Sequence, residues 1–514
     1  MNKIDTINAL GISFLFLGQG CNAPTIKVKP NILFIWTDEQ AAATMEAYGN
    51  EIIKTPFLNQ LAKESFVFQK AYVTQPVSTP SRSSILTGYY PHTIGLSTNN
   101  IPLPDTISCL PGLMNNAEYE YGYLGKWHLG NEIFSQKGFK TWVSIEDIYS
   151  EFYGRGKDKN MRSSYHHWLL NKGYRPDQQN VNKFSREFAS TLPLEHCKPA
   201  FLEEKTCEFL EKNKHNPFIL YVNFLEPHMP FSGPLNNMYK PEEITLPESF
   251  TDSLEKNEPM RYKLKKERVQ NNYGTTENDY RKLIGRYWGL VSQVDLSIGG
   301  ILKKLKELDL DKNTIVVFTS DHGDMMGAHQ LVEKSVMYQE AIRIPLLIKI
   351  PFITTTPRII ENQVSQIDIM PTLLDLLHIN NKVELQGKSL MPLIRGESNT
   401  VDYVFIEWNP DTPYNPEKRG SDVSFNEKEL KQIWASSTRT VIAPDGWKLC
   451  LTNNDNSQLF DLQNDPYEKN NLISNPDYND KIALLAQKIK EWQKRTSDTL
   501  KLPDIESKFI YGFK

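Results

Sequence analysis

Cysteine is scarce in this chain: Cys21, Cys109, Cys197, Cys207 and Cys450 are the only five among 514 residues, and no two stand in a Cys-x-x-Cys pair. That excludes a disulfide scaffold and a structural zinc site of the usual spacing. Cys197 and Cys207 are near enough in sequence for one small bridge in an oxidising compartment, and read equally as two core thiols. A surplus of charge of one sign is missing too. With 58 Lys+Arg against 62 Asp+Glu the formal charge is -4, so there is no global footprint for nucleic acid and none is expected as a partner. An anionic ligand has to be met by local charge. Past the first twenty or so residues no apolar run is long enough to span a bilayer, and no repeat or low-complexity tract is evident.

What is present is the composition of a globular protein. Hydrophobic residues make up 39% and charged residues 23%, with 9 Trp, 23 Tyr and 24 Phe to build a large core. At roughly 150 residues per domain, the length suggests two or three domains. Residues 1–21 read as an export segment, with Lys3 ahead of an apolar stretch at 9–18 and small residues after it. Residues 17–21, Leu-Gly-Gln-Gly-Cys, resemble a bacterial lipobox, which leaves two outcomes: lipidation of Cys21 with membrane attachment, or simple cleavage.

Short β-branched and aromatic runs at 32–36, 218–224 and 314–319 read as buried strands, each followed by an acid: Asp38, Glu226 and Asp321. Helical patterns lie between them. Residues 57–68 place Leu58, Leu61, Ala62 and Phe66 on one face, and residues 283–308 carry an apolar stripe through Ile284, Tyr287, Val291, Val294, Ile298 and Ile301. Strands alternating with helices predict an α/β fold, a mainly parallel sheet flanked by helices. Ligands in such sheets bind beyond the carboxyl ends of the strands. After about residue 400 the texture becomes aromatic and Pro/Asn-rich, with strand-like pieces at 440–442 and 447–451 and a helical stretch at 480–496. The expected organisation is a main domain over 28–400 and a smaller C-terminal α+β subdomain over 401–514. The charged piece 258–268 is expected as a solvated helix or lid.

Residues 76–88, Pro-Val-Ser-Thr-Pro-Ser-Arg-Ser-Ser-Ile-Leu-Thr-Gly, form a Ser/Thr loop entering a helix through Pro80. Ser81 or Ser83 would serve as an ordinary N-cap; alternatively the helix N-terminus and Arg82 would face an anion beside Ser78. The Ser-x-Pro-Ser-Arg run, with the Ile-Leu-Thr-Gly after it, resembles the signature of type I sulfatases, the formylglycine-dependent branch of the alkaline phosphatase superfamily. The likeness recurs in order from residue 32 to about 393. It takes in Thr37-Asp38-Glu39-Gln40, Gly125-Lys126-Trp127-His128, Glu226-Pro227-His228, Ser320-Asp321-His322-Gly323-Asp324, and Lys334 ahead of Arg343-Ile344-Pro345-Leu346.

The resemblance implies an alkaline-phosphatase-like fold and hydrolysis of sulfate esters. It implies that a maturation enzyme oxidises Ser78 to formylglycine (3-oxoalanine), whose hydrate attacks sulfur and then expels sulfate as the aldehyde returns. Sulfur screened by anionic oxygens needs charge neutralisation, a nucleophile and a stabilised leaving alkoxide, and an unmodified serine is a weak nucleophile. By the same resemblance Asp38, Glu39, Ser78, Asp321 and His322 surround Ca²⁺, a hard cation suited to carboxylates. Many relatives carry Asp where Glu39 stands; Gln40 is a further donor there. Arg82 and Lys126 would hold the aldehyde hydrate and sulfate, and His128 the formylglycine oxygens. His228 and Lys334 would hold the leaving oxygen, with His228 as general acid. If on a strand, Lys126 and His128 would share a face. Glu226 could ligate but reads more simply as a turn residue before Pro227, and His329 as structural.

A sulfated carbohydrate is the implied substrate, because exported enzymes meet glycans and because residues 155–162, 166–168 and 408–414 are rich in aromatic and basic side chains. Aromatic platforms also pack domain interfaces. The export segment predicts a periplasmic or cell-surface bacterial protein. Two alternatives stand beside this reading: a phosphodiesterase or phosphonate monoester hydrolase of the same superfamily, and a glycan-binding lipoprotein without catalysis.

Overall fold

The computed structural model describes residues 29–252, 254, 257–353, 357–380, 383–397, 402–410 and 426–503. The expected export segment with Cys21, and residues 411–414 of the third aromatic loop, lie outside them.

Nine strands form the main sheet: β1 (Asn31–Asp38), β2 (Phe66–Tyr72), β3 (Glu120–Gly125), β4 (Thr141–Val143), β5 (Phe218–Pro227), β6 (Thr314–Ser320), β7 (Arg343–Ile344), β8 (Leu346–Lys349) and β9 (Arg358–Ser365). Their order is β4-β3-β5-β1-β6-β8-β2-β7, with β9 on β2. At the centre β1 pairs in parallel with β5 and β6, and β3 and β4 continue the parallel half. On the other side β7 and β8 run antiparallel to their neighbours. The pleat sorts the strand residues into two layers. Ile32, Phe34, Trp36, Ile219, Tyr221, Ile315 and Val317 enter one core; Leu33, Ile35, Leu220, Val222, Phe224, Val316 and Phe318 enter the other. Burial on both faces is what a parallel centre requires.

The second layer is closed by the Lys198–Lys212 helix through Phe201, Leu202, Phe209 and Leu210, and by the Glu277–Glu307 helix through Val294, Ile298, Ile301 and Leu305. The latter starts on a capping box: the Thr276 hydroxyl accepts from the Asp279 amide, and the Asp279 carboxylate accepts from the Thr276 amide. A fully buried aliphatic side chain contributes about 1.5–3 kcal/mol, so this stripe anchors the fold.

Two expectations fail for the same reason. The helix expected over 57–68 ends at Lys63. Phe66, Val67 and Phe68 instead enter β2, where β8 and β9 supply partners that outweigh helical spacing. Residues 260–273 are a helix, but not a solvated one: Arg261 and Lys265 are buried, as is the preceding Glu258. Tyr338 Oη donates to Glu258 at 2.8 Å, and Lys265 Nζ donates to the Lys334 carbonyl at 2.6 Å. Buried charge is tolerated where such partners exist. Cys109, Cys197, Cys207 and Cys450 are all free thiols.

A second, antiparallel sheet has the order β10 (Val404–Trp408), β11 (Thr438–Ile442), β12 (Trp447–Thr452), β13 (Gln458–Asp461). The Asn479–Thr496 helix covers it with Leu485, Ile489 and Trp492. This unit grips the main domain just before residue 78. The Glu407 amide donates to the Thr74 carbonyl (2.7 Å), the Glu407 carboxylate receives His92 (2.6 Å), and Asn409 donates to Gln75 (3.2 Å). Two of the aromatic residues expected to face a glycan are packed inward. Trp168 lies against Phe201, and Trp408 is buried beneath Arg261. Residues 155–161 are exposed. No helix among the described residues is long and apolar enough to cross a membrane.

Candidate active site

The carboxyl ends of β1 and β6 are neighbours, and they set Asp38 and Asp321 side by side. The Asp321 amide donates to the Thr37 carbonyl at 3.1 Å, and Asp321 Oδ1 accepts from the Glu39 amide at 3.0 Å. Glu39 has a φ of 71°, in the left-handed region costly for a side chain of its kind. Against this edge lies the Ser78–Thr87 helix, in which every residue is buried. Several of its hydroxyls fold back on the backbone: Ser83 donates to the Pro80 carbonyl and Thr87 to that of Ser83. The helix begins at Ser78, after an extended Val77, so neither Ser81 nor Ser83 caps it. Ser81 instead donates to the Asp321 carbonyl, locking the helix to β6.

Ser78 and Arg82 are four residues apart and share a helix face. The Arg82 guanidinium joins the two strand-end acids: Nη2 donates to Asp38 (2.8 Å), Nε to Asp321 (2.9 Å) and Nη1 to the Lys126 carbonyl (2.9 Å). A planar fork can serve three acceptors at once. Lys126 Nζ adds a second cation on Asp38. Ser78 Oγ lies 3.2 Å from His322 Nε2, which is itself 3.6 Å from Asp321 and 3.9 Å from Asp38. On the far side Lys334 Nζ donates to Glu39 at 2.7 Å, and His228 Nε2 stands 3.5 Å from the same oxygen.

Donor atoms of Asp38, Asp321 and His322 lie within 4.8 Å of one another, and those of Asp38, Glu39 and His228 form a second such group. Asp38 is common to both. Four acids (Asp38, Glu39, Asp321, Asp324) meet three bases (Arg82, Lys126, Lys334). Among the described residues, Asp38 Oδ1, Glu39 Oε1, Gln40 Oε1 and Asp324 Oδ2 are buried with no hydrogen-bond partner. Unspent carboxylate oxygens in a dry site short of positive charge fit a hard divalent cation.

The electrostatics carry the same imbalance. Burial pushes the Glu39 carboxyl up to about 8, against the pull of Lys334 and helped by Asp324. Burial also opposes ionisation of Asp38, yet Lys126 and Arg82 hold it well below its usual range. Burial, then Lys126 and Arg82, keep His128 well below its usual value; burial, then Lys334, do the same to His228. Both rings are neutral near pH 7.

Lys126 and His128 do not share a strand face. β3 stops at Gly125, whose φ of 112° leaves no room for a side chain against the Asn223 carbonyl, and the chain turns. Lys126 then reaches Asp38, whereas His128 Nε2 faces Asn100 at 3.0 Å. The Glu132 carboxylate shapes this loop by accepting the Trp127 and His128 amides (2.8 and 2.7 Å). His329 bonds Asp252 and stacks on Tyr338. Glu226 belongs to neither donor group.

Four further residues complete the site: Asp324 beside Glu39, Glu132 under the Lys126 loop, Tyr149 against His128 (ring centroids 4.4 Å apart), and Arg186 beside His228. Asp324 is the second acid of the Ser320–Asp324 motif, which carried no role for it; the other three have no local signal.

A family model described as Sulfatase matches residues 30–379, and one described as N-sulphoglucosamine sulphohydrolase, C-terminal, matches 327–495. The chain is 30% identical over 507 residues to an ulvan-active sulfatase of Formosa agariphila, covering 94% of this chain and 86% of that one. It is 26% identical to an N-acetylglucosamine-6-O-sulfatase of Bacteroides thetaiotaomicron, covering 91% and 87%. Its fold matches a phosphonate monoester hydrolase of Agrobacterium radiobacter (TM-score 0.72, 20% identity, 91% and 96% covered). It also matches a protein solved with its substrate D-glucosamine-2-N,6-O-disulfate (TM-score 0.71, 22% identity, 92% and 99% covered). The chain belongs to the sulfatase family of the alkaline phosphatase superfamily, and is an enzyme of the sulfatase class.

Proposed function

We propose that the protein removes sulfate from a sulfated carbohydrate, with an oxidised Ser78 as nucleophile and Ca²⁺ held by Asp38, Glu39, Asp321 and His322. The observation that carries this reading is Ser78 Oγ standing in one buried cluster with His322, Asp321 and Asp38. Formylglycine at position 78, made by a maturation enzyme, would supply a hydrated aldehyde in place of a weak serine nucleophile. The cation would polarise sulfate oxygens as a Lewis acid. Arg82 and Lys126 fix Asp38 in its ionised form and line the sulfate pocket with positive charge. Lys334 and His228 stand on the side open to solvent, where the sugar oxygen leaves. His228 is neutral in the free site; negative charge brought by the substrate favours its protonation and its use as general acid. Relatives named for ulvan and for N-acetylglucosamine-6-sulfate support a glycan ester. The N-terminal segment supports export, with lipidation of Cys21 or simple cleavage.

The test combines mass spectrometry of the Ser78 peptide from the native source with desulfation of defined sulfated oligosaccharides, before and after chelation and Ca²⁺ return. The reading expects conversion of Ser78, turnover, at least about tenfold loss on chelation and recovery with Ca²⁺. Faster cleavage of a phosphonate monoester or phosphodiester than of any sulfate ester would overturn it. So would glycan binding without turnover by fully converted protein.

A further inference from the structure

The centre of the site is sealed, and its open side is basic. The side chains of Asp38, Arg82, Asp321, His322 and Glu39 have no exposure, whereas those of His228, Lys334 and Arg186 keep 11%, 13% and 14%. A sugar carrying the scissile ester must therefore lie against these three. Lys334 is spent on Glu39. Arg186 is not spent in the same way. Its Nε (2.8 Å) and Nη2 donate to a single oxygen of Glu146, and Nη2 also donates to Tyr149 Oη at 3.1 Å. The other oxygen of Glu146 is taken by Lys198. Two cations thus share one carboxylate; the neighbouring Glu226, which burial pushes up to about 7, offsets only part of their charge and leaves a positive surplus.

That surplus points at the site. Arg186 Nη1 lies 3.4 Å from His228 Nδ1, but this nitrogen also lies 2.9 Å from the Met229 carbonyl. The nitrogen serves one of these partners, according to its tautomer, and Nη1 carries two protons. Among the described residues Nη1 meets no carboxylate or carbonyl, so at least one of its protons remains available beside the imidazole on the leaving-group side. Glu146 and Tyr149 hold the guanidinium in place, so little is lost in ordering it when a ligand arrives.

We propose that Arg186 is a specificity residue that reads a second anionic oxygen group, carboxylate or sulfate, on the sugar bearing the scissile sulfate. Arg pairs with either group through the same fork. The proposal rests on the sulfatase reading above and adds the charge its substrate carries.

The experiment uses Ser78-converted full-length protein and three sugars sharing the scissile sulfate: one with no other charge, one with a second sulfate, one a uronate. The wild type is expected to favour at least one dianionic sugar by roughly 10- to 100-fold in kcat/KM, the span of a hydrogen bond to a charged group. The two dianionic arms separate sulfate from carboxylate. R186Q is expected to erase that ratio, chiefly through KM, and E146Q, which releases the guanidinium, to reduce it. Equal or better turnover of the singly charged sugar by the wild type overturns the proposal, as does an R186Q loss equal on all three. If R186Q does not fold, R186K decides: it keeps the charge without the fork, so the ratio should fall but survive, and an unchanged ratio overturns the proposal. A wild type that cleaves phosphonate but none of the three sulfates sinks the sulfatase reading, and this assignment with it.

Discussion

The Ser78–Thr87 and Glu277–Glu307 helices cover opposite faces of the same sheet and are built on opposite principles. The long one presents an apolar stripe, Val294 to Leu305, to a core layer and leaves Leu296, Lys303 and Glu307 outside. The short one is buried on every side although seven of its ten residues are Ser, Thr or Arg. Its interior position is secured by hydrogen bonds and one guanidinium, with Ile85 and Leu86 as its apolar anchor. The long helix carries stability that is separable from the chemistry; the short one presents a reactive side chain whose own contacts contribute little to stability.

Exchanges within each region sharpen that contrast. The largest effect is expected for Ser78→Ala, which should cut sulfate-ester turnover on the order of 10⁴-fold or more. It should cost no more than about 1 kcal/mol of stability, since the hydroxyl makes one recorded hydrogen bond; a melting curve and a turnover assay separate the two. Ile298→Ala, at a fully buried position under the sheet, should do the reverse. It should destabilise by between about 2 and 5 kcal/mol while leaving kcat per folded molecule unchanged, as read by denaturant titration with an activity count.

A third substitution tests whether buried charge outside the catalytic centre behaves like the short helix. Arg186 and Lys198 outweigh burial and hold the Glu146 carboxyl at about 2, below its ordinary 4.5. A depressed carboxyl stabilises the fold above its unfolded value and loses that contribution as pH falls through the folded one. Glu146→Gln should therefore cost about 3 kcal/mol at pH 7, with the deficit shrinking from about pH 4.5 towards pH 2. Urea titrations of both proteins across that range check it; a deficit independent of pH would show that packing, not charge, is lost. The smallest effect is expected at Lys303, whose side chain is 79% exposed opposite Glu307. Lys303→Ala should move the melting temperature by less than about 2 °C.

The sequence is transparent where function or burial repeats locally. β1, β5 and β6 announce themselves as apolar runs ending in polar clusters, and the long helix by its stripe, so the sheet and its open end follow. Ser78, Arg82, Asp38 and Asp321 are legible because each sits in a motif and each motif lies at a strand or helix end. Residues 66–68 mislead, since Phe-Val-Phe continues a helical spacing and only the partners in β8 and β9, some 280 residues away, reveal a strand. Residues 258–268 mislead because a charged run looks solvated until Tyr338, Gln458 and the Lys334 carbonyl are brought to it. Arg186, Tyr149 and Glu146 leave no periodic or motif trace: they converge only after the β4–β5 connection has folded over the sheet edge.

The entombment of position 78 also sets a clock. Ser78 is 2% exposed in the finished fold, so no oxidising enzyme of the proposed kind can grasp it there. The groups that wall in its helix, the Asp321 carbonyl and the Gln366 amide, come 240 and 285 residues after Ser81. Under the proposed function, oxidation of Ser78 would have to precede that closure, and a chain that closed first would stay a serine protein.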